Sequence, residues 1–182
     1  MNAPSRSLDQ AALPEDCSAF EPVFQAYYER TARLIARLVN DPACAEELAV
    51  EVFWKLWRNP QAHGDAVGGW LYRTAVRAGL YELRRQARRA RVAHLLRLGA
   101  DRSTPEDQHA ANQQQEHVRR VLATMPPHQA ELLLLRSQDL SYAELATALN
   151  LNPASVGTLL SRAQQAFRKE YVKRYGTKTN RR

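Results

Sequence analysis

The sequence predicts an all-α protein of two small helical domains joined by a flexible linker, the second domain containing a helix-turn-helix. Three observations predict this. Apolar residues recur at three- and four-residue steps in block after block, the period of a helix with one buried stripe. Residues 99–115, GADRSTPEDQHAANQQQ, interrupt the blocks with a polar mixture that has no stripe to bury. Within residues 141–167 a short capped helix, a three-residue turn and a longer helix follow one another directly.

Residues 1–17 carry no periodicity and read as a loose arm. Ser18, with Glu21 three residues on and Pro22 in the first turn, reads as a capping box that opens a helix. Its stripe is Phe20, Val23, Phe24, Tyr27, Tyr28, Leu34, Ile35, Leu38 and Val39. Asp41-Pro42, a cap followed by proline at the first helical position, opens a second helix whose inward residues are Ala45, Leu48, Ala49, Val52, Phe53 and Leu56. On its other face lie Glu47, Val50, Glu51, Trp54 and Arg58. The spacing leaves two readings open there, a part-acidic, part-apolar docking surface for a protein or a Trp54 folded back onto the rim. Residues 59–69, NPQAHGDAVGG, break the helical period and read as a loop.

The loop delivers the chain into WLYRTAVRAGLYELRRQARRAR, residues 70–91, which closes a bundle over 18–91. Leu71, Tyr72, Ala75, Val76, Leu80, Leu83, Ala87 and Ala90 form its apolar stripe. Arg73, Arg77, Tyr81, Arg84, Arg88 and Arg91 step round the opposite side, with Glu82 the one carboxylate inside the run. Such a row suits a polyanion with flat bases, because guanidinium forks reach phosphates and the phenol ring takes a base face. A merely solvated basic face is the commoner meaning of a charge run, but rows so free of acidic neighbours are not balanced for solubility alone.

Residues 92–115 read as the linker. Helical pattern resumes at Val118, Val121, Leu122 and Met125, stops at Pro126-Pro127, and returns as a short helix with Leu132, Leu133, Leu134 and Leu135. Ser141 and Glu144 make a second capping box, with Leu145, Ala146 and Leu149 inward. Asn150-Leu151-Asn152 turns the chain, Pro153 starts the next helix, and Val156, Leu160, Ala163 and Phe167 face in. Asn152, Ala154, Ser155, Thr158, Ser161, Arg162 and Gln165 face out, small or hydrogen-bonding groups of the kind that fit a major groove. The second domain spans 116–172, and 173–182 form a basic tail.

Composition narrows the function. The chain has 182 residues, 45% of them hydrophobic and 25% charged, and a net charge of +7, with a pI near 9.8. That balance points to an acidic partner, nucleic acid or a membrane surface. No apolar run reaches the roughly 20 residues of a membrane span and no signal-peptide core is present, so a cytoplasmic location and no membrane partner are expected. Cys17 and Cys44 have no metal or CxxC spacing, the five histidines are scattered, and no catalytic constellation or glycine-rich phosphate loop occurs. No catalytic residue, metal, cofactor or small-molecule substrate is expected.

Three blocks, AEELAVEVFWKLW (45–57), WLYRTAVRAGLYELRR (70–85) and SYAELATALNLNPASVGTLLSRAQQAF (141–167), resemble in order and separation a bacterial RNA polymerase sigma factor of the extracytoplasmic-function group. The resemblance covers residues 18–171. It implies a non-enzymatic initiation factor whose first domain binds core RNA polymerase and the melted minus-ten element of promoter DNA. Its second domain binds the minus-thirty-five element as duplex, and an anti-sigma factor is implied as a possible inhibitory partner. Carried over by position, Glu47, Val50, Glu51 and Trp54 match the polymerase-binding surface. The loop with Asn59 and His63 matches the segment that pockets a flipped base, and with Trp70, Arg73, Arg77, Tyr81, Arg84 and Arg88 completes the minus-ten contacts. Asn152, Ser155, Thr158, Ser161 and Arg162 match the minus-thirty-five reader. The family usually has aspartate and glutamine at the positions of Glu47 and Val50, asparagine and aspartate at those of Arg77 and Tyr81, and basic residues at Gly157 and Leu159. These departures bear on which promoter is read. Two rival functions stay in view, a sigma-like decoy that binds an anti-sigma protein without DNA, and a stand-alone helix-turn-helix regulator.

Overall fold

The computed structural model describes residues 17–62, 64, 66–96 and 110–176. Among them are seven α-helices, one 3-10 turn and no strand: α1 Cys17–Val39, α2 Pro42–Trp57, the turn Pro60–Ala62, α3 Val67–Leu96, α4 Ala110–Thr124, α5 Pro127–Arg136, α6 Tyr142–Leu149 and α7 Pro153–Tyr175.

Helices α1, α2 and α3 form a bundle because each buries one stripe against the other two. Leu34, Ile35, Leu38 and Val39 of α1 meet Ala45, Ala49, Val52, Phe53 and Leu56 of α2 and Leu71, Ala75, Val76 and Leu80 of α3, all buried. An aromatic cluster seals one end: Phe20 sets its edge on Trp57 at 4.9 Å between centroids, Phe24 stacks on Tyr28 at 4.7 Å and meets Phe53 at 5.1 Å. Asp41 caps α2 as its spacing implies, its carboxylate accepting from the Cys44 amide at 3.2 Å ahead of Pro42. Asn40 and Asn150 take left-handed backbone at φ 54° where α1 and α6 end, a conformation asparagine tolerates.

The second unit packs α4 and α5 against the α6–α7 pair around Val121, Leu122, Met125, Ala130, Leu132, Leu135, Leu145, Val156, Leu160 and Ala163. The capping box of α6 is complete: the Glu144 amide donates to Ser141 Oγ at 3.2 Å and the Ser141 amide donates to Glu144 Oε2 at 2.7 Å. The Leu151 amide then donates back to Ala146 at 2.8 Å, closing α6, and Asn152 accepts from the Ala154 amide at 3.0 Å to open α7 behind Pro153.

Several sequence expectations are corrected. α1 opens at Cys17, so Ser18 is not its cap, and Glu21 accepts from Gln25 at 2.6 Å instead of closing a box. Gly68 and Gly69 belong to the first turn of α3, where close packing outweighs glycine's poor helix propensity. A Cβ on Gly68 would sit 2.9 Å from the Tyr27 ring, and one on Gly69 would sit 3.3 Å from Ala148 Cβ. Ala87 and Ala90 are exposed, because the apolar stripe of α3 outruns the helices it packs on, and α3 continues to Leu96. α4 begins at Ala110 and takes in part of the polar run. Gln113, Gln114 and Gln115 are exposed there, and a helix turn with nothing to bury shows no stripe to read. α7 likewise reaches Tyr175 in the basic end, where that ring stacks on His117 at 3.7 Å.

α3 is the shared element. One side packs on α1 and α2, and its arginine side lies along α4, α5 and α6.

Candidate nucleic-acid interface

The Asp41-Pro42 cap sets the register of α2 and turns Glu47, Val50, Glu51 and Trp54 outward. Val50 is 57% and Trp54 53% exposed, which removes the reading of Trp54 folded onto the rim. Lys55 approaches Glu51 at 3.9 Å, a loose surface pair that leaves the carboxylate available. Across a groove of about 610 Å³ stands α3: Glu51 and Lys55 line one wall, and Arg73, Arg77, Tyr81 and Arg85 the other. Two surfaces that the sequence lists separately are thus adjacent.

On α3, Tyr81 is 65% exposed and Arg88 and Arg91 point to solvent. The rest of the row is engaged. Arg73 donates to the Ala148 carbonyl at 2.7 Å, and Arg77 Nε meets Glu131 Oε2 at 3.1 Å. Arg84 donates to the carbonyls of Ala123 and Met125 at 3.3 and 3.1 Å. The expectation of an unpaired arginine row is therefore corrected: the acceptors come from the second domain and are invisible to any local window. Burial, with Arg77 close by, lowers the affinity of the Arg73 guanidinium for its proton. Glu82, which stood as the one carboxylate in the run, is buried and paired with Arg85 at 2.9 Å.

Trp70 is half-buried at the start of α3, its carbonyl accepting from Thr74 Oγ1 at 2.8 Å. Asn59 is half-buried, its amide donating to Leu56 and its carbonyl accepting from Ala62 at 3.0 Å, so its backbone shapes the turn after α2. His63 lies outside the described residues. Residues missed from sequence are Arg30, which sits over the Tyr72 ring at 5.5 Å and donates to the Gln138 carbonyl at 3.3 Å, and Glu131. The signal for Glu131 was available: a lone carboxylate within the leucine-rich PHQAELLLLR is a residue that needs a cation.

On α7, Asn152, Ser155, Thr158, Ser161 and Arg162 are all exposed on one face, at and after the helix N-terminus. No ion pair holds Arg162 among the described residues. Gly157 leaves room for the Tyr142 ring, 3.5 Å from where its Cβ would be, and Leu159 is half-buried in the core, so neither position presents a cation. Cys44 is a half-buried free thiol. Burial first, then Glu82, Asp41 and Glu47, pushes its proton affinity up, the opposite of an activated cysteine. No helix among the described residues is long and apolar enough to cross a membrane.

The chain is similar to known proteins. The Sigma-70 region 2 family model matches residues 23–89, and that for Sigma-70, region 4 matches residues 115–166. The extracytoplasmic-function (ECF) RNA polymerase sigma factor SigE of Mycolicibacterium smegmatis is 26% identical over 176 residues, covering 94% of this chain and 66% of that protein. The chain thus spans just under two thirds of that relative's length. The ECF sigma factor SigK of Mycolicibacterium vanbaalenii is 29% identical, covering 85% of this chain and 82% of its own. The RNA polymerase sigma-H factor of Pseudomonas aeruginosa is 27% identical, with 85% and 86% covered. Among solved structures, the sigma factor RpoE of Bartonella quintana, crystallised with the anti-sigma factor NepR, shares the fold at a TM-score of 0.52 and 15% identity, covering 83% of this chain and 95% of its own. With both regions matched in chain order and taking in well over half of its residues, the chain belongs to the sigma-70 family of RNA polymerase initiation factors, in its extracytoplasmic-function group.

Proposed function

We propose that the chain binds core RNA polymerase through Glu47, Val50, Glu51 and Trp54 and directs it to promoters, capturing the melted minus-ten strand on α3 and reading the minus-thirty-five element with α7. The observation that carries this reading is the groove between α2 and α3. Its α2 wall is Leu48, Glu51 and Lys55, on the helix that also exposes Val50 and Trp54, and it faces an arginine wall in which Tyr81 offers a bare ring. Base stacking on such a ring contributes about 1–3 kcal/mol and tolerates any base, while the guanidinium groups follow the phosphates. Trp70 lines the same groove, and Asn59 belongs to the turn after α2. At the other end of the chain, the positive dipole end of α7 faces a phosphate, Arg162 meets another, and Asn152, Ser155, Thr158 and Ser161 reach base edges with short donors and acceptors. Promoter choice through α7 is correspondingly weak, because Gly157 and Leu159 supply no charge.

Run-off transcription with purified core polymerase and a genomic fragment library tests the proposal. Discrete transcripts that depend on the chain are expected. Binding to an anti-sigma protein with no transcript would favour the decoy, and tight duplex binding without polymerase would favour a stand-alone regulator.

A further inference from the structure

We infer that the cleft walled by α1, α3 and α6 is a binding site for a guanine nucleotide of the size of a nucleoside monophosphate. The cleft holds about 610 Å³, within the range of small-molecule sites, and it lies where two domains meet, a common place for them. Tyr27 and Arg30 of α1 and Trp70, Tyr72 and Arg73 of α3 form one wall. Ala143, Glu144, Thr147 and Ala148 of α6, with Gln138 and Asp139 of the turn before it, form the other. Tyr27, Arg30 and Asp139 have no part in the proposed contacts with polymerase or promoter.

Two cations on an aromatic wall suit a flat anion. Arg30 sits over the Tyr72 ring at 5.5 Å and donates to the Gln138 carbonyl at 3.3 Å, and Arg73 donates to the Ala148 carbonyl at 2.7 Å. Among the described residues neither is in an ion pair, so each guanidinium keeps most of its donors for a ligand. Burial and the nearby Arg77 weaken Arg73's hold on its proton, Glu131 offsets them only in part, and an incoming anion relieves that. On the other wall the Glu144 carboxylate is taken up by the Ser141 amide at 2.7 Å, whereas the Asp139 carboxylate makes no hydrogen bond among the described residues. Asp139 keeps a side chain at φ 62°, a left-handed backbone that glycine adopts more easily. Arg73 and Asp139 stand at opposite ends of α6, whose axis rises about 7.5 Å from Ala143 to Ala148. An aromatic α-amino acid, with its two charges on neighbouring atoms, does not span that distance. A nucleotide does, because a sugar holds its phosphate and base edge apart. Arg73 takes the phosphate in fork geometry. Arg30, bonded to the residue before Asp139, joins that carboxylate in matching the guanine edge, a carbonyl oxygen beside two N–H donors that adenine does not offer. Tyr72, 5% exposed, lines the cleft with a hydroxyl that has no partner, and a ribose hydroxyl is the kind of group it lacks.

Calorimetry of the full chain with guanosine monophosphate (GMP) tests this. Saturable binding is expected below about 1 mM, with AMP, guanosine and inorganic phosphate each weaker by about tenfold or more. Asp139→Asn keeps a residue that tolerates the left-handed backbone and exchanges an acceptor-only group for an amide that also donates. It should weaken GMP about tenfold and tighten xanthosine monophosphate, whose ring carries a carbonyl in place of the 2-amino group. A loosened fold lowers both affinities and does not exchange them. Arg73→Gln should bring GMP down to the level of guanosine. Absence of saturable GMP binding overturns the site. Inorganic phosphate that binds as well as GMP reduces the effect to attraction by a basic chain and overturns it too. GMP binding that Asp139→Asn leaves unchanged, or AMP binding as tight as that of GMP, overturns the assignment of the base edge, and an unchanged ratio of GMP to guanosine in Arg73→Gln overturns that of the phosphate.

Discussion

Replacing Trp54 by alanine is the sharpest probe of the polymerase-binding proposal. A tryptophan side chain offers up to about 250 Å². With 53% of it exposed, about 130 Å² is free to be covered by a partner. At 25 cal/mol per Å² that area is worth about 3 kcal/mol, or roughly a hundredfold in affinity. Little of this belongs to folding, since the buried side of α2 consists of Ala45, Ala49, Val52, Phe53 and Leu56 and stays intact. Adding Glu51→Lys reverses the charge beside it. Because Glu51 and Lys55 are 3.9 Å apart in solvent, their pair contributes under about 1 kcal/mol to folding, and the reversal acts on encounter with the partner. Competition for core polymerase, read by anisotropy of the labelled chain, should show Trp54→Ala weakened by about 3 kcal/mol with an unchanged melting curve. An unaltered Kd in a well-folded Trp54→Ala, Glu51→Lys chain would remove this surface from the account.

Tyr81→Ala should lose about 1–3 kcal/mol of stacking and impair open-complex formation more than initial duplex binding. Permanganate footprinting of the bubble is the check, and a normal bubble with Tyr81→Ala and Arg77→Ala combined would move the base contacts to the loop at 59–69. Arg162→Ala should weaken binding to upstream duplexes of many sequences and lower the salt slope by about 1, while Thr158→Ala shifts preference among them by about 1 kcal/mol or less. A sharp upstream motif that collapses only with Thr158→Ala would reverse these roles. Ser141→Ala should cost about 1 kcal/mol through the lost cap, seen in denaturant melts. Glu144 has a depressed carboxyl affinity because Ser141 bonds its charged form, so its contribution is present above its ordinary value of 4.5 and is lost as pH falls below it. Melts on the acid side of that value should converge for wild type and Glu144→Gln, and a difference that grows on acidification would contradict the sign.

The helices and their punctuation were legible because their causes are local. Asp41-Pro42, the Ser141–Glu144 box and the Asn150-Leu151-Asn152 turn each act within four residues, and the structure has all three where the sequence puts them. Exposure of Val50 and Trp54 was half legible, since spacing separates the two faces of α2 but does not say whether a tryptophan folds over. What the arginine row does was not legible. A row turned to solvent and a row docked on another domain have the same period, and the deciding acceptors lie 75 residues away for Arg73 and 54 for Arg77. The glycines misled for a related reason. Gly68 and Gly69 weaken a helix locally, yet the space they leave is filled by Tyr27 and approached by Ala148, contacts that repay the weakness only once the chain has folded. Both failures sit on α3, the helix that packs on α1, α2, α4, α5 and α6. A segment whose neighbours are all distant in sequence keeps its own secondary structure readable and its partners hidden. On such a helix an unbalanced charge pattern is evidence that a partner exists, and Glu131 shows that the first partner to look for is another part of the same chain.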